Sequence, residues 1–345
     1  MTATDTTALA GEYAALTEQC GIVDRSERGK LALSGSGAVE FLNGQVTNEL
    51  VGLSPGDGCY ATFLTHKGKM LGDLRIFAVA GTEQAQSVAG SYEDDKAPQE
   101  PSELLLDTER GALQALFDMI RRFKVGYEVE LHKRTLESSL LSLLGPDAEE
   151  VATKTFALDE AQLSAQEHSH LLAHLRQTPV RLIRTDLGID ALFEAEALEQ
   201  VRCALEAVGA IPVSESAAEI VRVEHGRPRY GIDINESTIP QEAGLNERAV
   251  SFTKGCYVGQ ETVARLYYKG KPNRHLRGLR LSEPTEPGAA LALGERAVGS
   301  LASSVVSPRL GPIGLALVRR EAEAGATVSV GEMGASAAVV ELPFA

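Results

Sequence analysis

Residues 251–265 read SFTKGCYVGQETVAR. A lysine, a cysteine, a tyrosine, a glutamine and a glutamate stand around two glycines, with few bulky apolar residues to hide them. The following run, GQETVARLYY, predicts a helix beginning at Gly259, with the positive end of its dipole a few residues from Cys256. Thiolate, not thiol, is the nucleophile and metal ligand, and both Lys254 and a helix start favour it. Gly255 and Gly259 let the backbone turn sharply and admit a ligand closely. The competing reading is an inert cysteine buried in a tight turn, since free Cys is among the most buried residue types.

Just downstream, Arg265, Lys269, Lys271, Arg274 and Arg277 gather with Tyr267, Tyr268 and His275. The chain carries 33 Lys+Arg against 48 Asp+Glu, a formal net charge of -15. Such a surface repels phosphate backbones as a whole, which argues against DNA, so this strip is either a solvated linker or a dock for a polyanion such as a polyglutamate tail or RNA. Just upstream, RVEHGRPRYGIDINESTIPQEAGL (residues 222–245) sets Glu224, Asp233 and Glu242 among glycines and prolines, a carboxylate-rich loop. Its acids either pair with an amino-pyrimidine edge or form a solvated surface.

Further out, Leu9, Tyr13, Leu16 and Cys20 are spaced as one helix stripe, which places Cys20 in the core and Gly21 at the C-cap. KLALSG reads as a strand and AVEFLNGQVTNEL as a short helix. GCYATFLTHKGKMLGDLRIFAVA reads as two strands joined at THKGK. Residues 81–103 are polar and acidic without periodicity, the mark of a surface loop. Leu113, Leu116, Phe117 and Ile120 form a helix face, and Tyr127, Val129 and Leu131 alternate as a strand. His170 and His174 have the i, i+4 spacing of one helix face, with His168 nearby; without a third ligand they read as a solvated helix. Leu198, Val201, Leu205 and Val208 mark a further helix closed by Gly209, with Cys203 off the stripe. Beyond Pro272 the short runs RGLRL, VGSLASSVV, IGLALV, TVSV and AAVVEL predict a small all-β terminal domain.

At 345 residues the chain is expected to hold more than one domain. Its four cysteines form no Cys-x-x-Cys pair, so neither a disulfide framework nor a self-contained zinc site is signalled. The N-terminal stretch has no signal-peptide pattern and no run of about 18 apolar residues occurs, so the expected location is a reducing cytoplasm, away from membranes.

KGCYVGQE (Lys254–Glu261), with the following VAR and YKG, resembles the signature of the YgfZ family, bacterial folate-binding relatives of glycine-cleavage T-protein, an aminomethyltransferase. The resemblance extends to LSGSGAVEFLNGQVTNEL, THKGKM, LLGPDA (residues 143–148), the RVEHG…GID…PQEAGL segment and the terminal ELPF. It implies an α+β fold: a three-domain T-protein-like ring of two α+β domains and a C-terminal small β-barrel, with tetrahydrofolate or a derivative in the central channel. The expected divisions are residues 1–52 plus 150–250 (folate-binding), 53–149 (second α+β domain), 251–274 (signature segment and linker) and 275–345 (barrel). The resemblance also implies Glu224 and Arg265 as folate contacts, and Gly255, Tyr257, Gly259, Gln260 and Glu261 as motif residues supporting a functional thiol at Cys256, with Lys254 beside it. Lys269, Lys271 and Arg274 make up the polyanion strip.

Members of that family assist assembly or repair of iron-sulfur enzymes, including those that thiolate tRNA, so iron-sulfur proteins or cluster carriers are the implied partners. A [4Fe-4S] cluster ordinarily needs four thiolates and this sequence offers one plausible exposed ligand, so Cys256 is expected to touch iron transiently, with no permanently bound metal. Two alternatives stay open: a tetrahydrofolate-dependent aminomethyltransferase or related one-carbon transferase, and a plain RNA-binding module. The T-protein catalytic aspartate has no convincing counterpart at Asp107. With no Trp in the chain, a pterin must stack on Tyr or Phe.

Overall fold

A computed structural model of the chain describes residues 3–80, 101–332 and 334–344. The expected loop 81–103 therefore lies outside the described residues as far as residue 100, and from Glu103 the chain is already strand.

Three sheets organise the molecule. The first has six strands: β1 (Gly21–Asp24), β7 (Ser138–Leu144), β8 (His170–Leu175), β9 (Thr178–Arg184), β10 (Gly188–Glu194) and β11 (Ile211–Pro212), in the order β11-β1-β7-β10-β9-β8. Leu141, Leu182 and Ile189 from its strands are fully buried against Val201 and Leu205 of the Leu198–Val208 helix. The second sheet runs antiparallel in the order β3-β4-β5-β2-β6, from β2 (Gly29–Ser34), β3 (Gly58–Leu64), β4 (Met70–Val79), β5 (Glu103–Thr108) and β6 (Glu130–Lys133). Its core joins Phe63 and Ile76 to Phe41 of the Ala38–Asn43 helix and to Leu116 and Ile120 of the Leu113–Phe123 helix. The third sheet has seven strands: β12 (Arg274–Leu281), β13 (Ala290–Leu293), β14 (Arg296–Ser300), β15 (Ser303–Ser307), β16 (Gly311–Arg319), β17 (Thr327–Val330) and β18 (Ala335–Val340). It curls into a half-barrel: a Cβ added at Gly299 of edge strand β14 would sit 2.6 Å from the Leu317 carbonyl of β16. The architecture is thus the expected one of two α+β units, with the terminal strands forming a curled antiparallel half-barrel.

Several local expectations are corrected. β2 and the Ala38–Asn43 helix belong to the second sheet, because β2 pairs with β5 and β6. The chain therefore crosses into that sheet between Asp24 and Gly29 and returns between Lys133 and Ser138, not near residues 53 and 149. Cys20 is buried as expected, but Gly21 opens β1 instead of capping the Ala3–Glu18 helix. Of Tyr127, Val129 and Leu131, only Leu131 lies within β6. His170 and His174 lie on β8, not on a helix, and His168 and His170 are buried.

Candidate functional site

The quoted motif folds as its glycines predict, in one place out of two. The Gln260–Lys269 helix starts after Gly259, whose φ of +86° is left-handed. A Cβ there would also lie 2.6 Å from the Thr65 carbonyl, so only glycine lets the motif rest on the β3–β4 turn. Gly68 of that turn has φ +74°, and a Cβ on it would meet Thr262 at 2.8 Å. Gly255 is different: no atom lies within 4 Å of its would-be Cβ, so neither crowding nor a left-handed backbone requires it.

Lys254 does not serve the cysteine. Its ammonium turns inward, donating to the carbonyls of Asn43 (2.8 Å), Val46 (3.0 Å) and Asn48, and burial pulls its pKa down to about 8. The proximity of Lys254 and Cys256 in sequence thus separates a buried anchor from an exposed thiol. Tyr257 is buried too, in a cluster with Leu64, Met70 and Val263 that Tyr60 packs against. Of the four cysteines, Cys203 and Cys256 are exposed; burial pushes the Cys20 and Cys59 thiols up to about 12. Replacing Lys254 by Met leaves three carbonyls, one on a buried residue and two on half-buried ones, without their charged donor, and the expected cost is about 3 kcal/mol. Urea denaturation of the variant checks it.

The residues expected to bind ligand are dispersed. Gln260 is half-buried, while Glu261 and Arg265 are exposed on the Gln260–Lys269 helix. Within the strip, Arg274 is already paired with Glu242, at 3.0 and 2.8 Å, leaving Lys269 and Lys271 exposed without an ion pair among the described residues. The carboxylate loop is no solvated surface: Glu224, Asp233 and Glu242 are all buried, and Asp233 is held by Arg222 at 2.7 Å and by Ser303 at 2.6 Å.

Glu224 ends the Glu215–Glu224 helix, which Ser214 caps by accepting from Ala217 N–H. This carboxylate lines a cleft of ≈ 970 Å³ walled by Tyr13, Leu16, Leu144, Leu187, Val221 and Arg309. Its oxygens accept from Tyr13 Oη (2.9 and 3.1 Å) and from the Ser307 hydroxyl, with Arg309 at 3.6 Å. A carboxylate has about four lone-pair sites, so acceptor capacity remains on Oε2. Apolar walls, a buried acceptor and the Tyr13 ring suit a pteridine; Arg184, also lining the cleft, is already paired with Glu149 at 2.9 Å. The residues present therefore fit tetrahydrofolate.

Leu144, Thr185, Asp186 and Leu187 are shared with a smaller recess of ≈ 180 Å³ between the first two sheets. Seven arginines (25, 28, 75, 222, 227, 229 and 248) and five carboxylates (Asp73, Glu109, Glu167, Asp186 and Asp190) line it. Each of these arginines is ion-paired, some with carboxylates behind the lining such as Glu215, Glu219 and Asp233, so the recess is a charge-compensated network. Asp107 lies behind it, bonded to Arg28 at 2.8 Å and Arg75 at 2.7 Å; burial works against its charge, but the two guanidiniums hold it well below the usual carboxylate range. Asp107 is thus an ionised clamp on the arginines.

Asp73 behaves in the opposite way. It accepts from Tyr60 Oη at 2.6 Å, yet burial pushes its pKa up to about 6. A carboxyl poised near neutrality in a lined cavity is a candidate acid or base, and sequence reading missed it. The available signal was a lone acid inside the apolar strand MLGDLRIF. The linkage is opposite to that of a salt-bridged carboxylate. Between about pH 4 and 6 the folded carboxyl keeps a proton that the unfolded chain has released, so its contribution to stability is present below pH 4 and lost as pH rises through 6. Asp73→Asn should flatten that slope, worth on the order of 2–3 kcal/mol, in urea melts across the window.

Among the described residues no group of three or more His, Cys, Asp or Glu side chains is arranged to hold a metal ion, and no helix is long and apolar enough to cross a membrane.

The chain also resembles known proteins in sequence and in fold. Residues 3–254 match the GCVT N-terminal domain and residues 274–345 the glycine cleavage T-protein C-terminal barrel domain. A chloroplastic protein of Arabidopsis thaliana whose name assigns it to the transferases is 28% identical over 328 residues, covering 94% of this chain and 71% of its own. The aminomethyltransferase of Rubrobacter xylanophilus is 28% identical over 341 residues, covering 96% and 85%. In structure, the glycine cleavage system aminomethyltransferase T from Bartonella henselae superposes with a TM-score of 0.82 at 22% identity, covering 98% of this chain and 89% of that one, a likeness of fold.

Proposed function

This chain belongs to the glycine cleavage T-protein family, and we propose that within it the protein is a tetrahydrofolate-binding accessory factor for assembly or repair of iron-sulfur enzymes, with Cys256 as its working thiol. The observation that carries this reading is the division of labour in the motif loop. Lys254 and Tyr257 go inward as anchors, and Cys256, of a residue type more often buried, is left in solvent. Tyr257 packs in the same cluster as Tyr60, whose hydroxyl holds Asp73, so the thiol loop and the cavity share one packed unit.

In this reading Glu224 and Tyr13 take the pterin end of folate, with Arg309 beside them. Bound tetrahydrofolate supplies a carrier for one-carbon units; Asp73 holds or releases a proton beside Tyr60, and the arginines keep the recess polar and ordered. Cys256 ligates iron transiently or forms a mixed disulfide with a client, such as an enzyme that thiolates tRNA. Lys269 and Lys271 remain as a small dock for a polyanion. The protein is placed in a reducing cytoplasm, where such a thiol persists.

A second reading, a folate-dependent aminomethyltransferase, is favoured by Asp73 and by the names of the relatives. Incubating the full-length protein with methylene-tetrahydrofolate, an ammonia donor and a small dithiol as acceptor of the aminomethyl group separates the two. The accessory reading expects calorimetric binding of tetrahydrofolate without turnover; sustained turnover sinks it.

A further inference from the structure

Beside the motif cysteine lies a surface whose residues take no part in lining the folate cleft. Phe252, four residues before Cys256, stacks on Tyr267 of the Gln260–Lys269 helix, ring centroids 3.7 Å apart and 16° from parallel. Tyr268 meets both rings edge-on, at 5.0 Å from Tyr267 and 6.5 Å from Phe252. Phe252 also packs on the buried cluster of Tyr257 and Val263, so the trio is fixed to the same unit as the motif loop. Yet Tyr267 is 51% exposed and Tyr268 66%. Single exposed apolar side chains are ordinary, but ordered aromatic rings grouped in solvent have the composition of an interface centre.

The charge around the rings selects the partner. At about 100° per residue, Glu261, Arg265, Tyr268 and Lys269 fall on one stripe of the helix. All four are exposed, and so is Lys271 just beyond the helix. Arg265, Lys269 and Lys271 make no ion pair among the described residues, whereas neighbouring Arg274 is held by Glu242. Three unpaired cations against one carboxylate give a local positive potential in a chain of net charge -15. A nucleic acid drawn to it has to extend its charged backbone over the acidic remainder. A second copy in a two-fold contact sets these cations against their own counterparts. A short acidic protein segment meets neither obstacle. The thiol is within its reach, because four residues span at most about 14 Å and Cys256 therefore lies that close to the Phe252 backbone.

We propose that the rings of Phe252, Tyr267 and Tyr268 and the cations of Arg265, Lys269 and Lys271 form a docking surface for an acidic protein segment that carries an aromatic side chain and brings a partner's sulfur to Cys256. The proposal rests on the reading of Cys256 as the working thiol, and it states the chemistry by which a client is recognised.

The test is thiol–disulfide exchange between the full-length Cys203→Ser protein and synthetic peptides whose single cysteine is capped by thionitrobenzoate. The Cys256 thiolate attacks the peptide sulfur and joins it in a new S–S bond; the old S–S bond breaks, and thionitrobenzoate leaves with its electron pair as a coloured thiolate that reports the rate. Three peptides place glutamates, glutamines or lysines around a phenylalanine next to the cysteine. At low salt the glutamate peptide should react about tenfold faster than the glutamine one and saturate with concentration, the lysine peptide should be slowest, and the ratios should approach one at high salt. Arg265→Gln, Lys269→Gln and Lys271→Gln combined should abolish the preference, and Tyr268→Ala should raise the half-saturating concentration. Melting temperatures should stay at the wild-type value, since all four side chains are exposed. Equal rates for the three peptides, or a preference that survives the triple substitution, overturns the surface. So does displacement of the glutamate peptide by oligouridylate at lower concentration, which assigns the face to RNA, or dimerisation that Tyr268→Ala abolishes, which assigns it to a second copy. A preference that needs the three cations, in a protein whose Cys256→Ser variant still restores iron-sulfur enzymes in cells, keeps the surface and removes the reading of the thiol. No preference, with Cys256 still required in cells, does the reverse.

Discussion

Glu224→Gln should weaken tetrahydrofolate binding by about 1.5–3 kcal/mol, roughly ten- to a hundredfold, the range for a hydrogen bond to a charged partner. The substitution preserves shape but turns one acceptor oxygen into a donor and removes the charge that draws an amino-pyrimidine edge. The carboxylate has structural partners as well, Tyr13 and Ser307, so loss of binding alone does not single out the ligand contact. Tyr13→Phe supplies the control: it deletes one internal hydrogen bond, leaves the charge, and should cost folate affinity far less. Calorimetry on both variants, with melting temperatures, separates the two effects. Unchanged affinity in Glu224→Gln would remove this residue from the folate site.

Cys256→Ser should leave melting temperature and folate affinity at wild-type values, because the side chain is exposed and Lys254 and Tyr257 do the anchoring. Its effect belongs to chemistry. Alkylation of the native protein should reach Cys203 and Cys256 and spare Cys20 and Cys59, whose thiols burial keeps protonated. Cys203 lies on the Leu198–Val208 helix, so a Cys203→Ser background reports Cys256 alone. In that background iodoacetamide should react at neutral pH faster than with a peptide thiol, driven by the helix start at Gly259 without help from Lys254. A rate no greater than that of an unfolded peptide would make the cysteine an ordinary surface residue.

Much of the fold was legible because local chemistry decided it. The hairpin at THKGK, the helix beginning after Gly259 and the β-rich terminal half-barrel each carry their own turn residues and periodicity. What escaped depends on partners distant in sequence. KLALSG reads as a strand, but nothing local says that it pairs with β5 and β6, some 70 and 100 residues on, and the domain division went wrong with it. His170 and His174 satisfy helical spacing as well as strand spacing, and β9 decides for strand. The site was legible only in part. Glu224 was placed by resemblance and does line a cleft, whereas Lys254 was read as a partner of Cys256 from adjacency, when the irregular loop around it turns its ammonium inward to the carbonyls of Asn43, Val46 and Asn48, residues some 200 positions away. Asp107, unconvincing in the sequence as a catalytic aspartate, is held ionised by Arg28 and Arg75, and Asp73, which nothing in the sequence singled out, is left with a tyrosine and a raised pKa.

The central claim joins an exposed thiol to maintenance of iron-sulfur enzymes, and complementation tests it most directly. In a strain lacking this gene, activities of several iron-sulfur enzymes are measured under oxidative stress after expressing wild type, Cys203→Ser or Cys256→Ser at matched levels. The account predicts recovery with the first two and none with the third, although all three fold and bind folate alike. Full recovery with Cys256→Ser would contradict it.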